Sequence, residues 1–323
     1  MKRLLLGILL AVAPGLQAAE FTPVAQRFSF VAMGCMPYLE SNYAAYERLL
    51  AEINRQKPAF AVHLGDIKAG AAKPTDEGLV QVRKWFDSVE CPLMYTPGDN
   101  EWTDVHRTGD NPLVWLGKVR ELFFKEERSL GKVPMKLVTQ RRDWAHEKFV
   151  ENARWSVGGV VFATVHVVGS NNNRDEAKPE ALQEFRERDE ANRAWVTATF
   201  AEAKAKNAPG VALFFQALPF SAGNRPVPTG FVEFLDTIER EALAFAKPVL
   251  LVHADEHRYR NDRAMKFRPD GEPVANVSRL ETFGAHDIHG VLVVVDPAST
   301  QVFLSGPLWV AGNALPGLPP AKK

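Results

Sequence analysis

The amino-acid sequence predicts an α/β fold in which helices cover two sheets. Short apolar runs alternate with amphipathic segments through the first half of the chain, and the same alternation returns in the second half. The chain then closes with short β-like runs, the last two joined by a "DPAST" turn. Alternating strands and helices are typical of a parallel sheet covered by helices. We therefore expect a first sheet that is rich in parallel pairs, followed by a mixed one.

The first segment, MKRLLLGILLAVAPGLQAAE, has a basic head, an apolar run from Leu4 to Val12, and small residues at Ala18 and Ala19. This pattern predicts a secretory signal peptide over residues 1–19. Its apolar run is shorter than the about 20 residues that a bilayer-spanning helix needs. We expect the mature protein to have no membrane span and to be exported, either to the periplasm or as a secreted protein.

Composition and chain length favour one domain over residues 20–310, followed by a flexible Pro/Gly-rich tail over 311–323. Residues 103–156 are less regular, and we expect them to form a helical insertion over the functional site. Lysine and arginine together number 39, as do aspartate and glutamate, so no basic excess indicates nucleic-acid binding. The oligomeric state is left open.

Two cysteines are present, Cys35 and Cys91. Cys35 follows the first predicted strand, whereas Cys91 precedes the third. In a parallel sheet these positions lie at opposite ends, and a disulfide needs Cα atoms within about 7 Å. We expect both thiols to be free.

The elements of the first half follow from apolar spacing and helix caps. Residues 41–57 begin with Ser41 as a cap and place Tyr46, Leu49 and Ile53 at helical spacing. The remaining predicted elements are strands over 28–33, 59–64 and 92–95 and a helix over 77–90. Each strand is followed by a Gly and then a side chain that could bind a metal, at Cys35, Asp66 and Asp99.

The second half repeats this arrangement. The strand 160–168 is followed by "GSNNN", and the strand 247–257 ends in acids and a histidine. Helices are predicted over 179–206 and 229–246, with a strand over 210–216. Functional groups in such sheets gather beyond the carboxyl ends of the strands. The acids of "TPGDNEWTD" (96–104) therefore have three interpretations: a turn with a helix cap, a solvated loop, or a metal site.

The order of these strand-end motifs resembles that of the calcineurin-like metallophosphoesterases. The family's blocks are Asp-x-His, Gly-Asp, Gly-Asn-His-Glu/Asp, a His before Pro, and Gly-His-x-His, and here they correspond to "GCMPY", "GDIKAG", "PGDNE", "FFQALP" and "ADEH". The resemblance implies a four-layer αββα sandwich of two mixed sheets flanked by helices. It also implies metals that activate water to hydrolyse a phosphate ester.

The first three blocks depart from the family pattern. Cys35 and Pro37 stand where the family has Asp and His, whereas Asp66 retains the metal-bridging carboxylate. Asp99 replaces the metal-binding Asn, and Asn100 replaces the His that acts as an acid or electrostatic clamp. The resemblance thus assigns catalytic positions to Asp99 and Asn100.

The last two blocks depart as well. Gln216 replaces a His, Asp255 replaces the first His of the closing block, and His257 is kept. The implied second metal site comprises Asp66, Asp99, Gln216 and Asp255, all with oxygen donors. Oxygen donors favour Mg²⁺, Mn²⁺ or Ca²⁺.

The implied first site comprises Cys35, Asp66 and His257, a donor set that would also accept zinc or iron.

Each residue also has a structural interpretation. Asp99 would serve as a turn or helix-cap residue, and Asp255 would pair with Arg258 or Arg260. Histidines 63, 166 and 253 lie within strands and are assigned to the core. Arginines 107, 141 and 142 are assigned to a solvated face rather than to phosphate binding.

Two functions remain open at this point. One is a metal-dependent phosphoesterase-like hydrolase that acts on a small phosphate mono- or diester. Asn100, Asn171 and Asn172 would then hydrogen-bond the substrate. The other is a catalytically inactive relative that acts as an exported binding protein.

Overall fold

A computed structural model describes residues 26–220 and 226–315. The signal peptide expected over 1–19 and residues 316–323 of the expected tail lie outside the described residues. In the part that is described, no helix is both long and apolar enough to cross a bilayer.

The first sheet has five strands in the order β12-β11-β1-β2-β3. Strands β1, β2 and β3 pair in parallel, and β11 and β12 add antiparallel pairs at one edge. The strands are β1 (Phe28–Met33), β2 (Phe60–His63), β3 (Leu93–Tyr95), β11 (Gly290–Val295) and β12 (Phe303–Leu308).

The second sheet has seven strands in the order β4-β5-β6-β7-β8-β10-β9. Its centre, from β6 to β10, is parallel, and both edges are antiparallel. The strands are β4 (Val138–Thr139), β5 (Ala153–Val157), β6 (Val160–Thr164), β7 (Val211–Phe214), β8 (Val249–His253), β9 (Arg260–Met265) and β10 (Val274–Glu281).

Helices cover the outer face of each sheet. The buried side chains of α1 (Glu40–Gln56), α2 (Asp76–Ser88) and α3 (Pro112–Phe123) pack with the first sheet. Those of α5 (Pro179–Ala205) and α6 (Val232–Phe245) pack against the second. A short left-handed turn, α4 (Gly169–Asn172), follows β6.

The two sheets pack face to face through aromatic side chains. The Phe30 ring lies 5.0 Å from that of Phe60 in the same sheet and 5.5 Å from that of Phe214 in the other. Phe162 and Trp155 extend this layer. The result is a four-layer sandwich of two mixed sheets, which confirms the predicted fold class.

Several details differ from the sequence-based expectations or extend them. Residues 103–156, expected to be a helical insertion, contain helix α3 but also β4 and most of β5, strands of the second sheet. Strand β9 was not predicted because its residues, RNDRAM, are mostly polar and only its last is buried. The prediction that Cys35 and Cys91 are unpaired is confirmed. Histidines 63, 166 and 253 are fully buried, as expected.

Candidate metal centre

Three carboxylates from different strand ends meet at one edge of the sandwich. Asp66 follows β2, Asp99 follows β3 and Asp255 follows β8. Each offers one oxygen atom such that the three lie within 4.8 Å of one another. Asp66 and Asp99 are buried, and Asp255 is half-buried. The carboxyl ends of strands in both sheets therefore point their acids at a common position.

The backbone around this position adopts conformations that are uncommon outside glycine. Cys35, Asp66, Asp255 and His257 have φ angles of 53°, 57°, 86° and 64°. Left-handed backbone at non-glycine residues is costly and tends to cluster at functional sites. Each turn redirects the chain as it leaves a strand, and this brings the side chains toward one another.

Gly98 allows the third strand end to approach the second. A Cβ atom at residue 98 would overlap the Asp66 carboxylate, and one at Gly65 would overlap the backbone of Gly98. Glycine at both positions thus permits the close backbone contact that brings Asp99 beside Asp66.

Glu101 holds these two strand ends in place. One of its carboxylate oxygens accepts hydrogen bonds from the Gly98 amide at 3.1 Å and the Tyr95 hydroxyl at 2.7 Å. The other accepts from the Asp66 amide at 3.1 Å. Both carboxylate oxygens of Glu101 are thus engaged in hydrogen bonds, and Glu101 is a positioning residue for the acids.

The Oδ2 atom of Asp66 is surrounded by donors. It accepts from the Tyr38 hydroxyl and the Gln216 amide, both at 3.1 Å, with the Cys35 thiol at 3.5 Å. The other oxygen, Oδ1, accepts a hydrogen bond from the backbone amide of Asn100 at 3.1 Å.

Gln216 presents nitrogen, not oxygen, to the acids. Its Oε1 accepts from the Gly169 amide at 2.6 Å, while its Nε2 lies 3.1 Å from both Asp66 and Asp255. The backbone donor on one side and the carboxylate acceptors on the other determine which way the amide points. This arrangement gives no support to the metal-ligand role expected of the Gln216 oxygen.

Asp99 and Asp255 are held from outside the cluster. The Ser170 hydroxyl lies 2.9 Å from both Asp99 and Asp104, and Arg107 forms an ion pair with Asp104 at 2.8 Å. The Leu218 amide donates to Asp255 at 3.1 Å.

Asp255 does not use the arginines proposed as its alternative partners. Arg260 pairs with Glu256 and Glu281. Within residues 26–220 and 226–315, no lysine or arginine forms an ion pair with any of the three acids of the cluster.

Burial raises the pKa values of all three acids, and the charges of neighbouring carboxylates add to this effect. Burial is the largest cause for each. For Asp66 the charges of Asp99 and Glu101 add to it, and for Asp99 those of Asp255 and Asp104, which brings the pKa of Asp99 to about 6. Burial also lowers the pKa of the nearby Lys68, which bonds backbone carbonyls rather than an acid.

The expected substrate-binding asparagines have other partners. Asn172 is fully buried and bonds Arg188 and the Gly230 carbonyl. Asn171 bonds the backbone of Arg174 and Gly230. Both therefore hold the α4 turn. Asn100 does reach the cluster, where its side-chain amide donates to the Tyr38 hydroxyl at 3.0 Å.

Sequence reasoning missed Tyr38, Glu101 and Ser170. Tyr38 ends the "GCMPY" block and Glu101 ends "PGDNE", so each lay within a segment already singled out. Ser170 lay within "GSNNN", where the asparagines were chosen instead. Their roles depend on left-handed turns that apolar spacing does not predict.

A cavity of about 590 Å³ adjoins the cluster. Its lining includes Ser170 and Asp104, and also Leu113, His106 and Lys178. A larger cavity, of about 830 Å³, lies between α2 and α3 and does not include any of the three acids. The three acids do not line the smaller cavity either, but Ser170, which does, donates a hydrogen bond to Asp99 at 2.9 Å.

The donor set fits one hard divalent cation. Three carboxylates with no basic partner repel one another unless a cation or protons neutralise them, and oxygen donors suit Mg²⁺, Mn²⁺ and Ca²⁺. The position expected between Cys35, Asp66 and His257 fits a cation less well, because the Tyr38 hydroxyl lies 3.1 Å from Asp66 and 3.2 Å from His257.

Solved structures share this fold. A dimetal phosphatase from Danio rerio matches with a TM-score of 0.51 and 11% identity over 86% of this chain and 98% of its own. PhoD matches with a TM-score of 0.54 and 9% identity over 84% of this chain and 64% of its own. A purple acid phosphatase, PPD1, from yellow lupin (Lupinus luteus) seeds matches with a TM-score of 0.50 and 11% identity over 88% of this chain and 54% of its own.

These likenesses show a shared fold, which is that of the calcineurin-like metallophosphoesterases. The chain spans less than two thirds of PhoD and of the lupin enzyme. No protein-family model matches the sequence, and no curated protein matches it.

Proposed function

We propose that this chain, which has the calcineurin-like metallophosphoesterase fold, is a phosphoesterase-like hydrolase that uses one hard divalent cation. Asp66, Asp99 and Asp255 would hold Mg²⁺, Mn²⁺ or Ca²⁺. The observation that supports this most directly is the convergence of three carboxylate oxygens within 4.8 Å, without a basic partner among the described residues. The neighbouring cavity would admit a small phosphate mono- or diester.

A divalent cation at such a site supplies a Lewis acid and lowers the pKa of a bound water. The chain's own groups orient the acids: Gln216 and Leu218 on Asp255, and Ser170 on Asp99. Asn100, at the position of the family's acid, donates hydrogen bonds but has no proton to give a leaving group. Loss of a general acid costs about 10²–10⁴ in rate. The preferred substrates are therefore esters with good leaving groups.

Turnover of an aryl phosphate tests this proposal. Metal-free protein is assayed with Mg²⁺, Mn²⁺, Ca²⁺ and Zn²⁺ in turn, beside Asp66→Ala as the blank and Asp76→Ala as a control at an exposed acid. We expect cation-dependent turnover in the wild type and the control and none in Asp66→Ala. Equal rates in the wild type and Asp66→Ala would contradict the proposal.

A second candidate is an inactive relative that serves as an exported binding protein. The observation that favours it is the saturation of Asp66 Oδ2 by the Tyr38, Gln216 and Cys35 donors, which stabilises the carboxylate without a cation. Binding of a cation without turnover of any phosphate ester would support this candidate.

We also retain, as proposals, a signal peptide over 1–19, a mature domain over 20–310 and export to the periplasm or medium. Amino-terminal sequencing of the protein recovered from a periplasmic fraction tests the cleavage, the first residue of the mature domain and the export. A first residue at or near position 20 is expected, and retention of Met1 would contradict export by cleavage.

A further inference from the structure

The hydroxyl of Tyr38 lies between side chains that were expected to form a first metal position. Its oxygen is 3.1 Å from Asp66 Oδ2 and 3.2 Å from His257 Nε2. The third expected ligand, Cys35, lies 3.5 Å from the same Asp66 oxygen. Tyr38 thus contacts the atoms of Asp66 and His257 through which these residues would bind a cation.

Counting hydrogens shows how this arrangement is satisfied. When Asp66 is ionised its carboxylate can only accept, and the Tyr38 hydroxyl donates its one hydrogen to it. Its oxygen then accepts from the Asn100 side-chain amide at 3.0 Å, and the hydrogen count requires His257 to donate to it as the tautomer with the proton on Nε2. A histidine that donates through Nε2 has no lone pair on that nitrogen for a metal.

The position of the Tyr38 ring also leaves little room for a metal ion between Asp66 and His257. The phenol packs edge-on against the His257 imidazole, with ring centroids 5.4 Å apart and planes at 75°. A carboxylate, a carboxamide and an imidazole all engage the same hydroxyl. Metal entry would require the loss of three hydrogen bonds and movement of the ring.

We propose that Tyr38 closes the first metal position, so that the chain holds no more than one cation at its strand ends. The Tyr38 hydroxyl donates a hydrogen bond to Asp66 at the place where a cation would otherwise lie between Asp66 and His257. The single remaining position is the one formed by Asp66, Asp99 and Asp255. The expectation of one ion per chain in the wild type therefore rests on the proposed function. The expected gain of one bound ion when Tyr38 is replaced does not depend on the proposed function.

Metal stoichiometry tests this inference. Metal-free wild type, Tyr38→Ala and Tyr38→Ser are dialysed against Zn²⁺ or Co²⁺, and bound metal per chain is measured. Tyr43→Ala, at another tyrosine of the same region, is the matched control. We expect either Tyr38 variant to bind one more ion per chain than the wild type, and Tyr43→Ala to bind the same number.

Cobalt gives a second readout, which reports the identity of the ligands and not only the number of bound ions. A Co²⁺–thiolate absorption band from Cys35 is expected to be absent in the wild type and to appear in Tyr38→Ala. Adding His257→Ala to Tyr38→Ala should abolish both the extra ion and the band. A thiolate band or two ions per chain in the wild type would overturn the inference, as would loss of metal in the Tyr38 variants, since that would make Tyr38 a ligand.

The two proposals fail in different ways. A wild type that binds no cation, with a Tyr38→Ala variant that binds one, refutes the single-cation function and leaves the closure by Tyr38 standing. Equal metal content in the wild type and the Tyr38 variants refutes the closure alone.

Discussion

Replacing Asp99 with asparagine should stabilise the metal-free protein at neutral pH. The Asp99 carboxyl is buried beside Asp66 and Asp255, and burial is the main cause that raises its pKa from 3.8 to about 6. A difference of this size corresponds to about 3 kcal/mol. Asparagine keeps the shape of the side chain and an acceptor for the Ser170 hydroxyl, which lies 2.9 Å from Asp99.

The sign follows from proton linkage. Because the pKa of Asp99 is higher in the folded chain than in the unfolded one, its contribution is fully present below pH 3.8 and is lost as the pH rises through about 6. The free energy of unfolding of the wild type should therefore fall by about 2.4 kcal/mol relative to Asp99→Asn between about pH 4 and pH 7.5, the rest of the total being lost below pH 4.

Chemical denaturation of both proteins with a chelator present measures this difference across the pH range. Asp76→Asn, at an exposed acid outside the cluster, serves as the control. A variant that is less stable than the wild type at about pH 7.5, or a difference that does not change with pH, would refute the unfavourable burial of a charged Asp99 beside other acids, on which the cation site rests.

Three further predictions concern positioning and core residues. Glu101→Ala should cost at least about 2 kcal/mol in denaturation, because it leaves buried donors unpaired, and a cost near zero would contradict its positioning role. His253 is buried with its pKa lowered to about 3, so wild-type stability relative to His253→Phe should fall by about 2 kcal/mol between about pH 7 and pH 5, and a constant difference would refute this. Thiol titration should find two free groups in the denatured, unreduced protein, and Cys35 should be unreactive when folded because it is fully buried; a reactive Cys35 would argue against the buried site.

The fold was largely predictable because its central strands are contiguous apolar runs. Runs such as Phe60–His63 and Val249–His253 are buried on both faces, and each ends near glycine or acid. Strand β9 (Arg260–Met265) escaped prediction because an edge strand can form with mostly exposed side chains. Its position depends on pairing with β10, which no local pattern reveals.

The acids of the site were predictable for a different reason. Asp66 and Asp99 follow neighbouring parallel strands of one sheet and therefore share an edge. Asp255 follows a strand of the other sheet, and only the order of the motif blocks placed it with them. The orientation of Gln216 could not be predicted, because it depends on the Gly169 amide from a neighbouring loop.

Tyr38 escaped notice for a similar reason. Its hydroxyl meets His257, which lies 219 positions away along the chain and has a left-handed backbone. Contacts of this kind require the two sheets to be assembled first, and the resemblance of single motifs carries no information on which donors fill the space between them.

Thermal melting with each hard cation tests the central claim most directly. A cation that binds only the folded chain stabilises it by about 2.7 kcal/mol at a hundredfold excess over its dissociation constant. We expect Mg²⁺, Mn²⁺ or Ca²⁺ to raise the melting temperature of the wild type, and Asp255→Ala, which removes one of the three carboxylates, to abolish the rise. Identical melting curves with cation and with chelator would mean that Tyr38, Gln216 and Ser170 satisfy the acids on their own, and would contradict the cation site.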